Sequence, residues 1–401
     1  MRVLLLTHSY QPEVTAPQRR WGAFVGEFRR RGWECDVVTP VAHPGLAPAS
    51  VSRAQRGTVL GVERGGRGEW IRRVPLIHHT EGRLSKLASN LTSAVLMVPR
   101  ALTAPRPDVV VVTVPALPNI AAGYAVARLR RSPLVVDMRD AWPDLARDAQ
   151  IVTSSRPGLM ERVLTFVQRR ADLVVTVTEG FADVLRGRGA RRVETVYNGF
   201  PADQLPAPVP SREPVAEPLR VLYLGNHGES QGLEKLIDAA RLAGDRVRLR
   251  LVGNGARKAE LEAYARRTGA DVDFQPPSHG EETLAHYTWA DTCVVSLRDD
   301  WRSFEWTIPS KTYELLAIGK HITAVVRGEA ARLLEGTGAA DVVAPDPDAI
   351  AALWQDLADR PQRLAVPASG RAWVAENCDL RRLGRRYADL IETLTRGNPA
   401  A

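Results

Sequence analysis

Short apolar runs alternate with longer stretches in which apolar residues recur every three or four positions, almost from one end of the chain to the other. Val3–Leu6, Val37–Thr39, Val109–Val114, Leu134–Val136, Leu173–Val177 and Val193–Val196 read as strands, and their continuity implies burial on both faces. After the first of them, Trp21, Phe24, Val25 and Phe28 fall on one side of a helix, with Thr15 as its N-cap and Pro17 tolerable in the first turn. A second series of strands reads at Leu219–Leu224, Val247–Val252, Val272–Phe274, Thr292–Leu297, His321–Val326 and Val342–Val343. Helices are expected from about residues 232, 256, 281, 310, 329 and 347, and "LRRLGRRYADLIETL" reads as a terminal helix. This alternation predicts an α/β protein whose parallel sheets carry helices on both faces.

Two stretches break the pattern. "VAHPGLAPASVSRAQRGTVLGVERGGRG" reads as loop, rich in Gly, Pro, Ser and Arg. "GFPADQLPAPVPSREPVAEPLR", residues 199–220, holds six prolines and reads as a semi-rigid linker poor in apolar anchors. We therefore expect two Rossmann-like, doubly wound domains at 1–200 and 219–375, a linker at 201–218, and a C-terminal helix at 376–401 that can cross back to the first domain. A ligand is expected in the cleft such a pair forms.

The length of 401 residues agrees with more than one core. Cys35, Cys293 and Cys378 are far apart without a CxxC pair, which points to buried, reduced thiols rather than a disulfide frame or zinc site. No apolar run reaches membrane-spanning length, and "MRVLLLTHSY" reads as a first strand rather than a signal peptide, so a cytoplasmic protein is expected. Net charge is uneven: +12 over residues 1–200 and −4 over 201–401. One reading is an arginine-rich composition with no further meaning. The other is a first domain that faces an anionic partner, a phospholipid surface or a phosphorylated acceptor. Nucleic acid is disfavoured, because no recognisable nucleic-acid module accompanies the charge. "RLSKLASNLTSAVLMV" (83–98) aligns Leu84, Leu87, Ala88, Leu91 and Val95 on one helical face, with Arg83, Lys86 and Arg100 nearby. That face either packs inward, the commoner outcome, or lies on a membrane.

The chemistry concentrates in the second half. "LYLGNHGESQGLEKLIDAARLAG" (222–244) is a strand, a glycine-rich turn and a helix, a layout that offers amides and a positive dipole end to a phosphate. Between Gly225 and Gly232, however, there is no Lys or Arg. A source of charge stands downstream in "FEWTIPSKTYELLAIGKHITAVV" (304–326). Pro309 suits a helix start, Ser310 or Thr307 is a candidate cap, and Gly319 closes the helix. Lys311 would then lie beside the first amides, with Glu314 one turn in, able to accept from a ribose diol. The alternative is a capped helix with solvated Lys and Glu.

"SYQPE", "VVDMRDAWPD" (135–144), "VVTVTEGFADVL" (174–185), "VETVYNGF" (193–200), "LYLGNHGESQGLEKLIDA", "LVGNGARKAEL" and "IPSKTYELLAIGKHI" come in an order that resembles retaining glycosyltransferases of the GT-B fold, family four (group 1). The resemblance spans about residues 1–395 and looks closest to the amino-sugar transferase branch of O-antigen and capsule assembly. It implies transfer of a sugar from a nucleotide-diphosphate sugar, of UDP-HexNAc or GDP-sugar type, to an acceptor sugar, a lipid-linked glycan or a small metabolite. It also implies retention of configuration, no metal and no cofactor. Gly225, Asn226 and Gln231 would lie near the donor pyrophosphate, Lys311 would supply charge, and the amides of Ser310, Lys311 and Thr312 would supply hydrogen bonds. Glu314 matches the second glutamate of the family's E-x7-E motif, which holds the ribose. The first would fall at Trp306, with Glu305 one place off, a departure that bears on the donor sugar.

Many relatives place a His where Arg139 falls; here Asp137, Arg139, Asp140 and Asp144 crowd together, able to orient or polarise an acceptor, or simply to salt-bridge a strand end. Lys311, Asp140 and Arg139 are the catalytic candidates; His8, Asp137 and Asp144 are weaker candidates for sugar or acceptor contact. Base selectivity is expected from main chain around Gln275–Ser278. "DVD" (271–273) and "GNG" (253–255) read as a chance DxD and a tight turn. Two other functions remain open: a tailoring glycosyltransferase of secondary metabolism with a small soluble acceptor, and an inactive GT-B-like protein that binds sugar nucleotides. The basic first domain also leaves open peripheral association with the inner face of a membrane.

Overall fold

The computed structural model describes residues 1–43, 47, 50–52, 56–75, 83–114, 117–149, 158–200, 207–209 and 218–396. Most of the 201–218 linker lies outside them, as does much of 44–55. The chain divides into two compact units, Met1–Ala202 with Cys378–Ala401, and Asp203–Asn377.

The first unit is built on strands β1 (Arg2–Leu6), β2 (Glu34–Pro40), β3 (Val62–Arg64), β4 (Trp70–Val74), β5 (Val109–Thr113), β6 (Leu134–Met138), β7 (Leu173–Thr176) and β8 (Val193–Thr195). Their order is β3-β4-β2-β1-β5-β6-β7-β8, with only β3 antiparallel to its neighbour. The valine runs of β5, β6 and β7 are fully buried, as two covered faces require. The expected loop over 41–68 thus contains a strand, β3, which forms the sheet edge. Arg73 on β4 is buried beside it because its guanidinium meets Glu63 at 2.7 Å and the carbonyls of Pro40 and Gln11 at 3.2 and 2.7 Å.

The helix Ala16–Arg30 starts as expected, with the Thr15 side chain accepting from Gln18 N at 3.2 Å. Trp21, Phe24, Val25 and Phe28 enter the core. The helix Leu380–Arg396 packs on this same helix: Tyr387 lies 5.6 Å from the Trp21 ring and 5.1 Å from Phe24, while Leu380, Leu383 and Ile391 fill the remaining space. Gly199 is needed where the ends of the unit meet, because a Cβ there would overlap the Cys378 carbonyl.

The helix Arg83–Leu102 is turned the other way from the packed arrangement. Ser89, Ser93, Ala94, Met97 and Ala101 face inward, while Leu91 and Val95 are 51% and 62% exposed. The side chains of Leu84, Leu87 and Ala88 lie outside the description.

The second unit is a fully parallel sheet of β9 (Leu219–Leu224), β10 (Val247–Val252), β11 (Val272–Gln275), β12 (Thr292–Ser296), β13 (His321–Val325) and β14 (Ala340–Val342), in the order β11-β10-β9-β12-β13-β14. Leu236, Ile237 and Ala240 of the helix Glu234–Ala243 and Ile350, Trp354 and Leu357 of the helix Pro347–Asp359 cover it. Val209 in the linker is buried, its N–H donating to Ile318 O at 2.9 Å, so this stretch does hold an apolar anchor. All three cysteines are free and buried.

Candidate functional site

In the second unit, strands are added from β9 toward β10 and β11 on one side and from β12 toward β13 and β14 on the other. The segments that leave the carboxyl ends of β9 and β12 therefore diverge, which is where open parallel sheets bind ligands. The glycine-rich loop follows β9, and the segment leading to Lys311 follows β12. Ser296, the last residue of β12, donates to Gln231 O at 2.6 Å and so ties the two segments together.

The loop is held from below. Gly225 N donates to Val252 O at 3.0 Å, His227 N to Asn254 O at 2.9 Å, and Arg257 N to His227 O at 2.9 Å. Asn226 is exposed at the tip, with its carbonyl bound by Tyr223 Oη at 2.9 Å. Gln231 turns its Oε1 back onto Gly228 N at 3.2 Å, closing a short 3-10 turn over Glu229–Gln231 before Gly232 (φ +58°) and the helix. His227 is buried between Tyr223 and Phe274, and burial plus the nearby Lys258 ammonium lower its pKa to about 4. Its imidazole is neutral at physiological pH.

Two cations lie against this loop that sequence reasoning missed. Glu229, the loop's sole charged side chain before Gly232, pairs with both Arg257 and Arg298. Arg298 follows β12, donates its backbone N–H to Ser230 O at 2.9 Å and grips Asp300 at 2.8 and 2.6 Å. Nothing local marks either residue, since each meets its partner across 28 or 69 positions.

Lys311 and Glu314 open the helix Ser310–Ile318. Pro309 stands at its N-cap and no side chain caps it; Thr307 instead donates to Ser303 O at 2.8 Å. The expected capping by Ser310 or Thr307 is therefore replaced by proline's preset backbone. Gly319 closes the helix at φ +69° as expected. The Thr312 N–H is already given to Pro309 O at 2.9 Å, and the first-turn amides of Ser310 and Lys311 have no intrahelical acceptor. Lys311 Nζ donates to Glu314 Oε2 at 2.8 Å and to Tyr287 Oη at 3.1 Å, and Tyr287 Oη donates to Glu314 Oε1 at 2.7 Å. Glu305 is exposed on the 3-10 turn Arg302–Trp306, whose backbone at 305 packs so tightly on Gly328 (φ +63°) that no Cβ fits there.

The DxD reading of 271–273 meets a structural pair: Asp273 sits on β11 and binds Arg250 at 2.6 Å. The Gln275 carbonyl accepts from Gly253 N at 3.2 Å and Lys258 Nζ at 3.0 Å, so its main chain is committed to holding the sheet end.

In the first unit, His8 is half-buried just after β1. Asp137 lies on β6, fully buried, with Arg20 at 3.5 Å; Arg20 also binds the carbonyls of Val196, at 3.0 Å, and Tyr197. Burial raises the Asp137 carboxyl, with Arg20 and Arg139 opposing. Arg139 turns to Asn198 Oδ1 at 3.3 Å, its pKa lowered by burial and by Arg20. Asp140 shows the same upward direction from the surrounding protein, against Arg139, but its side chain is open to solvent, which limits the shift. Asp144 is separate from the other three, held by Arg188 at 2.7 and 2.6 Å. The strand end is thus partly salt-bridged, and Arg139 and Asp140 are its members nearest to solvent.

Residues 15–199 match the family model described as a glycosyl transferase 4-like domain. A provisionally named colanic acid biosynthesis glycosyl transferase of Escherichia coli (strain K12) is 26% identical over 379 residues, covering 88% of this chain and 90% of that one. Among solved structures, sucrose-phosphate synthase from Thermosynechococcus elongatus superposes with a TM-score of 0.73 at 17% identity over 99% of both chains. Anabaena HepE in complex with UDP and glucose does so with 0.68 at 17% identity, over 98% of this chain and 100% of that one. Residues 15–199 thus resemble a glycosyl transferase 4-like domain, and the whole chain has the GT-B fold. The matched GT4 segment holds Asp137, Arg139, Asp140 and Asp144, whereas the glycine loop, Lys311 and Glu314 belong to the second GT-B domain, outside it.

Proposed function

We propose that this protein is a glycosyltransferase that moves a sugar, with retention, from a nucleotide-diphosphate sugar of UDP-HexNAc or GDP-sugar type to an acceptor in bacterial glycan or glycoconjugate biosynthesis. The observation that carries the reading is the arrangement at the β9/β12 switch point, where a glycine loop and a helix start with Lys311 and Glu314 leave neighbouring strands. Complexes of a similar fold with UDP and with UDP-glucose support a nucleotide-sugar donor. The relative in colanic acid biosynthesis supports a polysaccharide or lipid-linked acceptor, and the resemblance to the amino-sugar branch favours an N-acetylhexosamine.

In this reading Gly225, Asn226 and Gln231 border the diphosphate, Ser310 and Lys311 give it amides, and the Lys311 ammonium takes the charge that grows as the sugar–phosphate bond breaks. Glu314 accepts from the ribose, and Glu305 is the carboxylate available to the sugar. The acceptor oxygen attacks the anomeric carbon from the departing side, and its proton passes to a phosphate oxygen of the leaving nucleoside diphosphate. Arg139 and Asp140 orient the acceptor. The outward apolar face of Arg83–Leu102, a helix that contains no acidic residue, supports peripheral contact with a membrane carrying a lipid-linked acceptor. Release of nucleoside diphosphate from a panel of UDP-, GDP- and dTDP-sugars tests the assignment. A donor that also raises the unfolding temperature identifies the base, and no release or stabilisation with any of them defeats the proposal.

A further inference from the structure

Tyr287 was selected by no sequence motif, yet it joins the two residues on which the donor reading depends. It lies on the helix Glu281–Trp289, only 3% exposed. Its hydroxyl occupies the corner between Lys311 Nζ, at 3.1 Å, and Glu314 Oε1, at 2.7 Å, while Lys311 closes the third side on Glu314 Oε2 at 2.8 Å. Each oxygen of Glu314 is therefore held by a different partner. One is held by a cation, the other by a neutral donor.

These two partners differ in what a diphosphate does to them. A diphosphate carries more charge than one carboxylate and competes for the ammonium. Lys311, 27% exposed on a flexible stem, can turn toward it; Tyr287, enclosed in the fold, cannot. Burial first, and then Glu314, push the phenol well above its ordinary pKa, so it keeps its proton and remains a donor. With Lys311 withdrawn, Glu314 Oε1 stays bound and Oε2 is vacated.

We propose that Tyr287 is a positioning residue of the donor site, whose hydroxyl fixes Glu314 so that the oxygen released by Lys311 is presented to the ribose diol. The inference rests on the donor roles of Lys311 and Glu314 given above. It couples the two halves of the nucleotide: the diphosphate draws off the lysine, and this exposes the acceptor for the ribose.

The test compares UDP and GDP with their 2′,3′-dideoxy forms by calorimetry on the full chain, in wild type, Tyr287→Phe and Glu314→Ala. Wild type is expected to bind the better nucleotide roughly tenfold more tightly than its dideoxy form. Glu314→Ala should abolish that ratio, and Tyr287→Phe should reduce it to about threefold or less, with affinity for the dideoxy form kept within about twofold. That last value shows that fold and diphosphate contacts survive, which a merely structural tyrosine would not separate from the ribose effect. If Glu314→Ala abolishes the ratio while Tyr287→Phe keeps it, the inference falls and the donor reading stands. If Tyr287→Phe weakens both forms equally, Tyr287 serves packing and the inference falls. A wild type that binds neither nucleotide, or a Glu314→Ala chain with the ratio intact, overturns the donor reading beneath it.

Discussion

Gly253 backs onto the carbonyl of Gly225, so closely that a Cβ at 253 would overlap the oxygen, and it does so at φ +144°. The turn after β10 is thus the floor on which the glycine loop after β9 rests. Gly253→Ala is expected to cost roughly 2–3 kcal/mol and to weaken nucleotide binding, since relief requires the loop to lift. Gly269→Ala, also left-handed (φ +71°) but facing open space, should cost about 1 kcal/mol and leave binding alone. Urea unfolding followed by nucleotide titration separates the two; equal effects would mean that the floor is not needed.

Lys311→Ala should lower turnover more than donor affinity, on the order of a hundredfold, because the diphosphate charge peaks in the transition state. Glu314→Ala should act mainly on donor KM. Steady-state kinetics with the identified donor decide both, and unchanged turnover in Lys311→Ala removes it from the chemistry.

His227 supplies a pH signature. Its folded pKa is lowered to about 4, against about 6.5 in an unfolded chain, so the unfolded state binds more protons between these values. Stability contributed by the neutral ring is complete above about pH 6.5 and is lost as pH falls toward 4, with a slope of at most about 1.4 kcal/mol per pH unit. Urea midpoints of the second unit should rise from pH 4 to 6.5, and His227→Phe should flatten that rise. A wild-type curve already flat there contradicts the neutral assignment.

The turned-out helix face predicts binding to vesicles. Wild type should co-sediment with phosphatidylglycerol-containing liposomes more than with neutral ones, and Leu91→Glu with Val95→Glu should abolish this without changing donor hydrolysis in solution. Sedimentation unaffected by the pair would place the contact elsewhere.

The orientation of that helix shows what sequence could and could not convey. Large apolar residues at i, i+4 normally mark a core face, but here the small Ser89, Ser93, Ala94 and Ala101 take that role. The pattern gives the helix; its rotation depends on what it packs against. Strands such as Val109–Thr113 were legible because covered parallel strands read as valine runs, whereas β3 was not, lying inside a Gly- and Arg-rich stretch that reads as loop. In the site, the Gly225 loop and the Pro309–Lys311 turn are local signals. Tyr287, Arg257 and Arg298 act on residues 24 to 69 positions away, a relation no window of sequence contains.

The pairing of Leu380–Arg396 with Ala16–Arg30 also sets an order of events during synthesis. The core around Trp21, Phe24 and Phe28 is not filled until Tyr387 and Ile391 arrive, by which time every residue of the second unit has left the ribosome. The second unit can therefore fold first and the first unit last, so that a chain cut just before Leu380 would hold every residue of the second unit beside an unfinished first one.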